Sequence, residues 1–296
     1  MQQQETRCGY VAIIGRPNAG KSTLFNCLLG QKVSSISFKP QTTRHQIVGV
    51  RTDLDSQFVF VDTPGIHLGG KRLLNRVLNK NATNVLHDVD LIFWLIDRGQ
   101  WTREEDFIKK SLVNLDSPVI LVVNKIDKLN RKQELLQILP ELLERYPFKE
   151  IIPISAIEED NIEALISTSK KYLPKSEFYY SDDYLTDRSK EFIAAEAVRE
   201  AAFVYLENEL PYATHVEIEK YEVDDGRVYI SAIIWVEKQG QKAILIGKKG
   251  EMLKKIGSLA RGSLQKQLEE KIHLNLWVKL HKDWQDNPQI VGKYEI

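Results

Sequence analysis

Continuous apolar runs alternate with stretches of helical period along the first half of the chain. Tyr10 to Ile14 is such a run, and Ser22 to Leu29 behind it is spaced as a helix. Ile47 to Arg51 and Phe58 to Val61 predict two more strands, and Leu91 to Ile96, Val119 to Val123 and Ile151 to Ile154 three buried ones. Helices are predicted up to Leu86, from Arg103 to Val113, from about Arg131 to Tyr146 with Pro140 as a kink, and up to Tyr172. Regular alternation of strand and helix predicts an α/β domain, with a mostly parallel sheet carrying helices on both faces. Ligands bind such sheets at the carboxyl ends of the strands.

The pattern changes after Pro174. Lys175 to Arg188 is polar and aperiodic, which predicts a linker, with Thr186 or Asp187 capping the next helix. Lys190 to Leu210 has amphipathic helical spacing through Phe192, Ala195, Val198, Ala202 and Tyr205. Val216 to Tyr221 and Val228 to Val236 alternate as strands around Asp224-Asp225-Gly226, a hairpin signal. A short apolar segment, Ala243 to Ile246, precedes a helix to about Leu268 and a last strand, Lys271 to Leu280. The expected division is a first domain over 1–174, a linker over 175–189 and an α+β domain over 190–296.

Bulk properties add limits. The chain has 296 residues, ample for two buried cores, and 41 basic against 41 acidic side chains, so any nucleic-acid site must be local. Two cysteines allow no disulfide framework beyond one bridge, and the enzyme-like sequence suits a reducing cytosol. The polar stretch Met1 to Arg7 is too short for a signal peptide, and no apolar run is long enough to span a bilayer.

The chemistry starts at Gly15-Arg16-Pro17-Asn18-Ala19-Gly20-Lys21-Ser22, between the first strand and the first helix. Glycines at this spacing let backbone N–H groups curl round phosphates, Lys21 reaches the outer phosphates and Ser22 ligates Mg²⁺. Asp62-Thr63-Pro64-Gly65 ends a strand, placing Asp62 to hold Mg²⁺ and the Gly65 N–H to meet a γ-phosphate. Asn124-Lys125-Ile126-Asp127 selects guanine, because a carboxylate accepts from the adjacent N1–H and N2 amine that adenine lacks. Lys125 can pack on the base, Asn124 can tie its loop to the phosphate loop, and Ser155-Ala156 can offer N–H groups to the guanine O6. Within Gln41-Thr42-Thr43-Arg44 both threonines suit a mobile Mg²⁺ ligand, with Thr43 favoured. Ile66 stands where a water-orienting glutamine is found in Ras-type enzymes. Asn18 is therefore the candidate ligand for a K⁺ ion that assists hydrolysis. The catalytic set expected is Lys21, Thr43, Gly65 and Asn18.

In the second domain Gly247-Lys248-Lys249-Gly250 lies between two helices, as in the phosphate-approaching loop of KH domains. Basic residues outnumber acidic ones from Lys238 to Lys282, an electrostatic footprint for nucleic acid. Ile244, Leu245 and Ile246 are candidates for the floor under single-stranded bases, with Lys254 beside them. An alternative is a membrane-recruited GTPase whose basic face binds anionic lipid.

Together these motifs, with Gln41 to His45 and Leu185 to Ser189, resemble the Era family of bacterial GTPases, of the TrmE–Era–EngA class, over nearly the whole chain. The nucleotide motifs are common to many GTPases; the KH-like second half singles out this family. The resemblance implies a P-loop GTPase domain followed by a type II KH domain, and binding of single-stranded RNA near the 3′ end of small-subunit ribosomal RNA. It further implies a part in 30S subunit maturation and cytoplasmic residence with peripheral contact at the inner membrane. A monomer is expected.

Overall fold

The computed structural model describes residues 5–36, 39, 43–65, 72–129 and 133–294. The first domain is built from β1 (Arg7–Gly15), α1 (Lys21–Leu29), β2 (Ile47–Thr52), β3 (Ser56–Asp62), α2 (Leu73–Asn84), β4 (Leu91–Asp97), α3 (Arg103–Ser111), β5 (Val119–Asn124), α4 (Gln133–Arg145), β6 (Glu150–Pro153) and α5 (Ile162–Lys170). The strand order is β2-β3-β1-β4-β5-β6. Only the edge strand β2 runs antiparallel, pairing Ile47 with Asp62 and Thr52 with Gln57. The predicted mixed, mostly parallel sheet is therefore present.

Side-chain alternation along the strands divides the core into two layers. Ile13, Phe60, Phe93 and Val122 face one way, towards α1 and α5. Ile14, Val61, Trp94 and Val123 face the other, towards α3 and α4. Both layers are fully or almost fully buried, each large side chain contributing about 1.5–3 kcal/mol. Pro140 lies within α4, whose helical assignment continues through it.

Residues 175–189 are packed more closely than their polar composition suggests. Gln57 Oε1 accepts from the backbone N–H of Tyr179 and Tyr180, at 2.9 and 3.0 Å. Tyr179 stacks on Tyr10, with centroids 5.7 Å apart. The cap of the next helix is Ser189, which accepts from Phe192 N, and not Thr186 or Asp187. The Thr186 hydroxyl instead donates to the Val48 carbonyl at 2.7 Å, holding the linker to β2.

The second domain comprises α6 (Lys190–Tyr205), β7 (His215–Asp224), β8 (Arg227–Val236), α7 (Gln239–Ile246), α8 (Glu251–Leu268) and β9 (Lys271–Leu280). β8 pairs antiparallel with β7 and parallel with β9. α6 ends at Tyr205, short of the expected Leu210. No element was expected beyond β9, yet α9 (Pro288–Val291) closes the chain against the first domain. Trp284, Val291 and Tyr294 form one apolar cluster with Leu74, Val77 and Leu78 of α2.

Candidate functional site

The nucleotide motifs converge at the carboxyl ends of β1, β3 and β5, as parallel connectivity requires. Gly20 has φ 103°, and a Cβ there would lie 2.2 Å from Asn124 Nδ2. Only glycine permits that approach. Asn124 uses it: Nδ2 donates to the Ala19 carbonyl at 2.9 Å, while Oδ1 accepts from Lys125 N at 2.8 Å and Ala156 N at 3.0 Å. One buried amide thus locks three loops together.

Lys21 is buried, and its Nζ donates to the Gly15 and Arg16 carbonyls at 3.0 Å each. Burial lowers its pKa to about 8, against the opposing pull of Asp62 and Glu105. A Cβ on Gly65 would come 3.1 Å from that ammonium and 3.3 Å from Pro17 Cα, so glycine eases the approach of the Asp-Thr-Pro-Gly turn to both. Thr63 fixes the turn by donating to the Ile13 carbonyl at 3.0 Å. Arg16 pairs its side chain with Glu105 at 3.6 Å and Asp97 at 3.9 Å. Pro17, Asn18, Gly20, Lys21, Ser22 and Thr43 line one section of a cleft. Asn18 and Gly20 continue into a second section with Asn124, Lys125, Asp127 and Ala156.

Ser22, Thr43 and Asp62 meet at the phosphate end. Ser22 Oγ and Thr43 Oγ1 are 2.7 Å apart, and Thr43 Oγ1 donates to Asp62 Oδ2 at 3.4 Å. Asp62 is fully buried, and its Oδ1 has no hydrogen-bond partner among the described residues. Burial pushes its carboxyl up from the ordinary value, while Lys21 and the hydroxyls pull it down. An orphaned carboxylate oxygen beside two hydroxyls is a hard, oxygen-only donor set, which fits Mg²⁺. Gln41, Thr42 and Ile66 lie outside the described residues.

At the other end Asp127 is exposed, and its Oδ1 accepts from Ser155 Oγ at 2.6 Å. Lys125 Nζ reaches the Asn18 carbonyl at 2.5 Å and Asp97 Oδ2 at 2.9 Å. The expectation for Ser155-Ala156 needs revision: Ser155 N donates to the Asp160 carbonyl and Ala156 N to Asn124. Ser155 contributes through its hydroxyl, and neither N–H stands unengaged.

The second site lies between α8 and β9. Gly247, Lys249 and Gly250 have φ of 72°, 51° and 81°, the sharp turn that a Gly-x-x-Gly loop makes. A groove runs from Gly250 along Leu253, Lys254, Gly257 and Arg261, facing Asn275 of β9. Leu245 corrects the expected floor: it is fully buried in the core of this domain and presents no side chain to a ligand. Ile246 packs partly against the same core, and Ile244 is 60% exposed. Gly257 and Asn275 were missed from the sequence. Spacing three and seven residues beyond Lys254 puts Gly257 and Arg261 on its helical face, a signal legible once α8 is placed.

The two sites are joined by the segment between α1 and β2. Ser35 Oγ donates to the Glu196 carbonyl at 3.2 Å, and Lys32 Nζ bonds Glu200 at 2.7 Å. Lys39 Nζ donates to the Phe203 carbonyl at 2.5 Å and also to that of Leu206. Arg44 is buried against Phe203 and Trp284.

Residues 10–125 match the family model described as 50S ribosome-binding GTPase, and residues 209–285 the KH domain model. GTPase Era of Marinobacter nauticus is 47% identical, over 97% of this chain and 94% of its own. The chain belongs to the Era family of GTPases. Era of Histophilus somni is 44% identical over 97% of this chain and 96% of its own. Among solved structures, a variant of Aquifex aeolicus Era bound to GDP.AlF4⁻ is 39% identical with TM-score 0.93, covering 98% of this chain and 99% of that one. An Era complex with MgGDPNP and nucleotides 1506–1542 of 16S ribosomal RNA has the same TM-score and identity, covering 98% of each chain. The Era-family chain is thus a GTPase with a P-loop domain and a C-terminal KH domain.

Proposed function

We propose that this Era-family chain is a GTP-driven switch that binds the 3′ end of small-subunit ribosomal RNA through its KH groove and acts in 30S subunit maturation. The observation that carries this reading is the near-complete likeness to an Era chain solved with MgGDPNP and a 16S ribosomal RNA segment. In this reading the 15–22 loop and Lys21 bind the phosphates, and Asp127 with Lys125 binds guanine. Ser22, Thr43 and Asp62 would hold Mg²⁺, which would supply positive charge beside the phosphates. Thr63 and Pro64 keep Gly65 beside Lys21. Lys248, Lys249, Lys254 and Arg261 meet RNA phosphates, with bases against Ile244 and the α8–β9 groove.

The coupling proposed is mechanical. Thr43 belongs to the cation site, and Ser35, Lys39 and Arg44 of the same segment hold α6 and the turns after it. Ordering that segment round GTP therefore sets how the KH domain docks, and hydrolysis releases it. Ile66 cannot orient water, so Asn18, which lines both sections of the cleft, would hold a K⁺ ion that would supply further positive charge beside the phosphates. Cytoplasmic residence as a monomer, with peripheral contact at the inner membrane face, belongs to the same reading.

The test is direct binding of an RNA matching the 3′ end of 16S ribosomal RNA, with GDP and with a non-hydrolysable GTP analogue. Tighter binding with the analogue is expected. Equal affinity in both states would remove the switch, and a preference for anionic vesicles over RNA would favour a lipid partner.

A further inference from the structure

Ser34 lies in the loop after α1, 1% exposed and outside every motif above. Asn26, on the buried side of α1, grips its backbone from both directions. Asn26 Oδ1 accepts from Val33 N and Ser34 N, and its Nδ2 donates to the Ser34 carbonyl, all at 2.8 Å. With the backbone so clamped, the Ser34 hydroxyl donates to Asp62 Oδ2 at 2.8 Å. The nearer of these two hydroxyls on that oxygen is thus Ser34 and not the cation-ligand candidate Thr43, at 3.4 Å.

A carboxylate turns easily about its terminal torsion, which has broad, two-fold wells. On the Oδ1 side nothing among the described residues holds Asp62, since that atom has no partner there. We propose that Ser34 is a positioning residue for the cation site: its hydroxyl, held by Asn26, engages Oδ2 and leaves Oδ1 to serve Mg²⁺. This rests on the reading that Ser22, Thr43 and Asp62 hold that ion. A hydroxyl-to-carboxylate bond is charge-assisted and directional, so it fixes the ligand before the ion arrives. Partners of this kind behind metal ligands typically change metal affinity by roughly 10–100-fold when removed.

Release of a fluorescent GDP from the full-length protein, followed over a range of Mg²⁺ concentrations, reads cation affinity without relying on turnover. Ser34→Ala should raise the Mg²⁺ needed for half-maximal slowing of release by roughly 10-fold or more, and should leave release in EDTA unchanged. Ser34→Thr, which keeps a hydroxyl, should restore most of the loss. Ser34→Cys, close in size with only a weak donor, should shift the same way as alanine and carries the test if the alanine variant does not fold. Unchanged Mg²⁺ dependence in Ser34→Ala or Ser34→Cys, or release accelerated equally with and without Mg²⁺, would overturn the proposal. Asp62→Asn separates the two ideas. If it too leaves the Mg²⁺ dependence unchanged, the cation assignment itself is wrong; if it shifts while the Ser34 variants do not, only the positioning role falls.

Discussion

Arg44 Nη1 donates to the Thr214 carbonyl at 2.7 Å, which ties the residue beside Thr43 to the turn before β7. Its Nη2 donates to the Tyr212 carbonyl at 3.0 Å. Arg44→Ala strands the buried Thr214 carbonyl and the half-buried Tyr212 carbonyl and empties the space against Phe203 and Trp284. A loss of about 3 kcal/mol is expected, read as a lower urea midpoint followed by tryptophan fluorescence. Arg44→Lys should recover only part of it, because an ammonium cannot fork to two carbonyls in fixed geometry. A midpoint unchanged by Arg44→Ala would mean that this contact contributes little to docking.

The same interface holds two histidines, His215 buried and His45 half-buried. His215 Nδ1 lies 2.6 Å from the Tyr294 hydroxyl, and the His45 ring packs 4.5 Å from the Tyr294 ring. Burial lowers His45 to about 4 and His215 to about 3, with Arg44 adding to both; Glu196 beside His45 and Glu217 beside His215 oppose it. Folded pKa values below the unfolded value mean that the unfolded chain binds the protons. The stability they contribute is complete above about pH 6.5 and falls with pH, by about 1.4 kcal/mol per unit for each histidine. Urea midpoints should therefore drop between about pH 6.5 and 5, and His215→Gln should flatten the slope. A slope identical in wild type and variant would exclude His215 as a source.

Base selection should depend on Asp127. Asp127→Asn replaces a charged acceptor with an amide, so GTP affinity should fall roughly 100-fold, with ATP affinity unaffected. Ser155→Ala should give a smaller loss, since its hydroxyl only orients the carboxylate. Competition between the two nucleotides measures both, and an intact preference in Asp127→Asn would refute the assignment.

Lys248→Asp combined with Lys249→Asp should weaken RNA binding and leave basal GTP hydrolysis near normal. Each lost phosphate contact on a single strand lowers the salt slope by about 0.7, so the pair should lower it by about 1.4. Binding isotherms over a range of KCl concentrations provide the check. Parallel loss of both activities would mean that the sites are not separate.

Turnover in K⁺ should exceed that in Na⁺ at equal ionic strength, and Asn18→Ala should remove the difference. Equal rates in the two salts would eliminate the ion at Asn18.

Much of the nucleotide site was legible because backbone requirements force particular residues at fixed spacing. Gly20, Lys21 and Ser22 are such a set, as are Asn124 and Asp127 at the end of a parallel strand. The KH loop was legible by the same logic, since its positive φ values favour glycine. What failed was side-chain direction near the loop: Leu245 and Ile244 are both apolar, and only the packing of α7 decides that one is core and the other exposed.

The sequence by itself determined the order of helices and strands as far as β9, the Gly15–Ser22 loop, the Asn-Lys-x-Asp motif at the end of β5 and the basic stretch from Lys238 to Lys282. Each follows from local chemistry or from the period of apolar residues. Tertiary structure alone decided how the halves are joined. Arg44 finds its partners about 170 positions away, and α9 returns to α2 from the far end of the chain. Ser34 likewise meets Asp62 only because the fold brings β3 to the loop after α1, its hydroxyl 2.8 Å from the carboxylate. Contacts between segments distant along the chain leave no periodic trace in either segment, because each hydrogen bond needs only a donor at one place and an acceptor at the other.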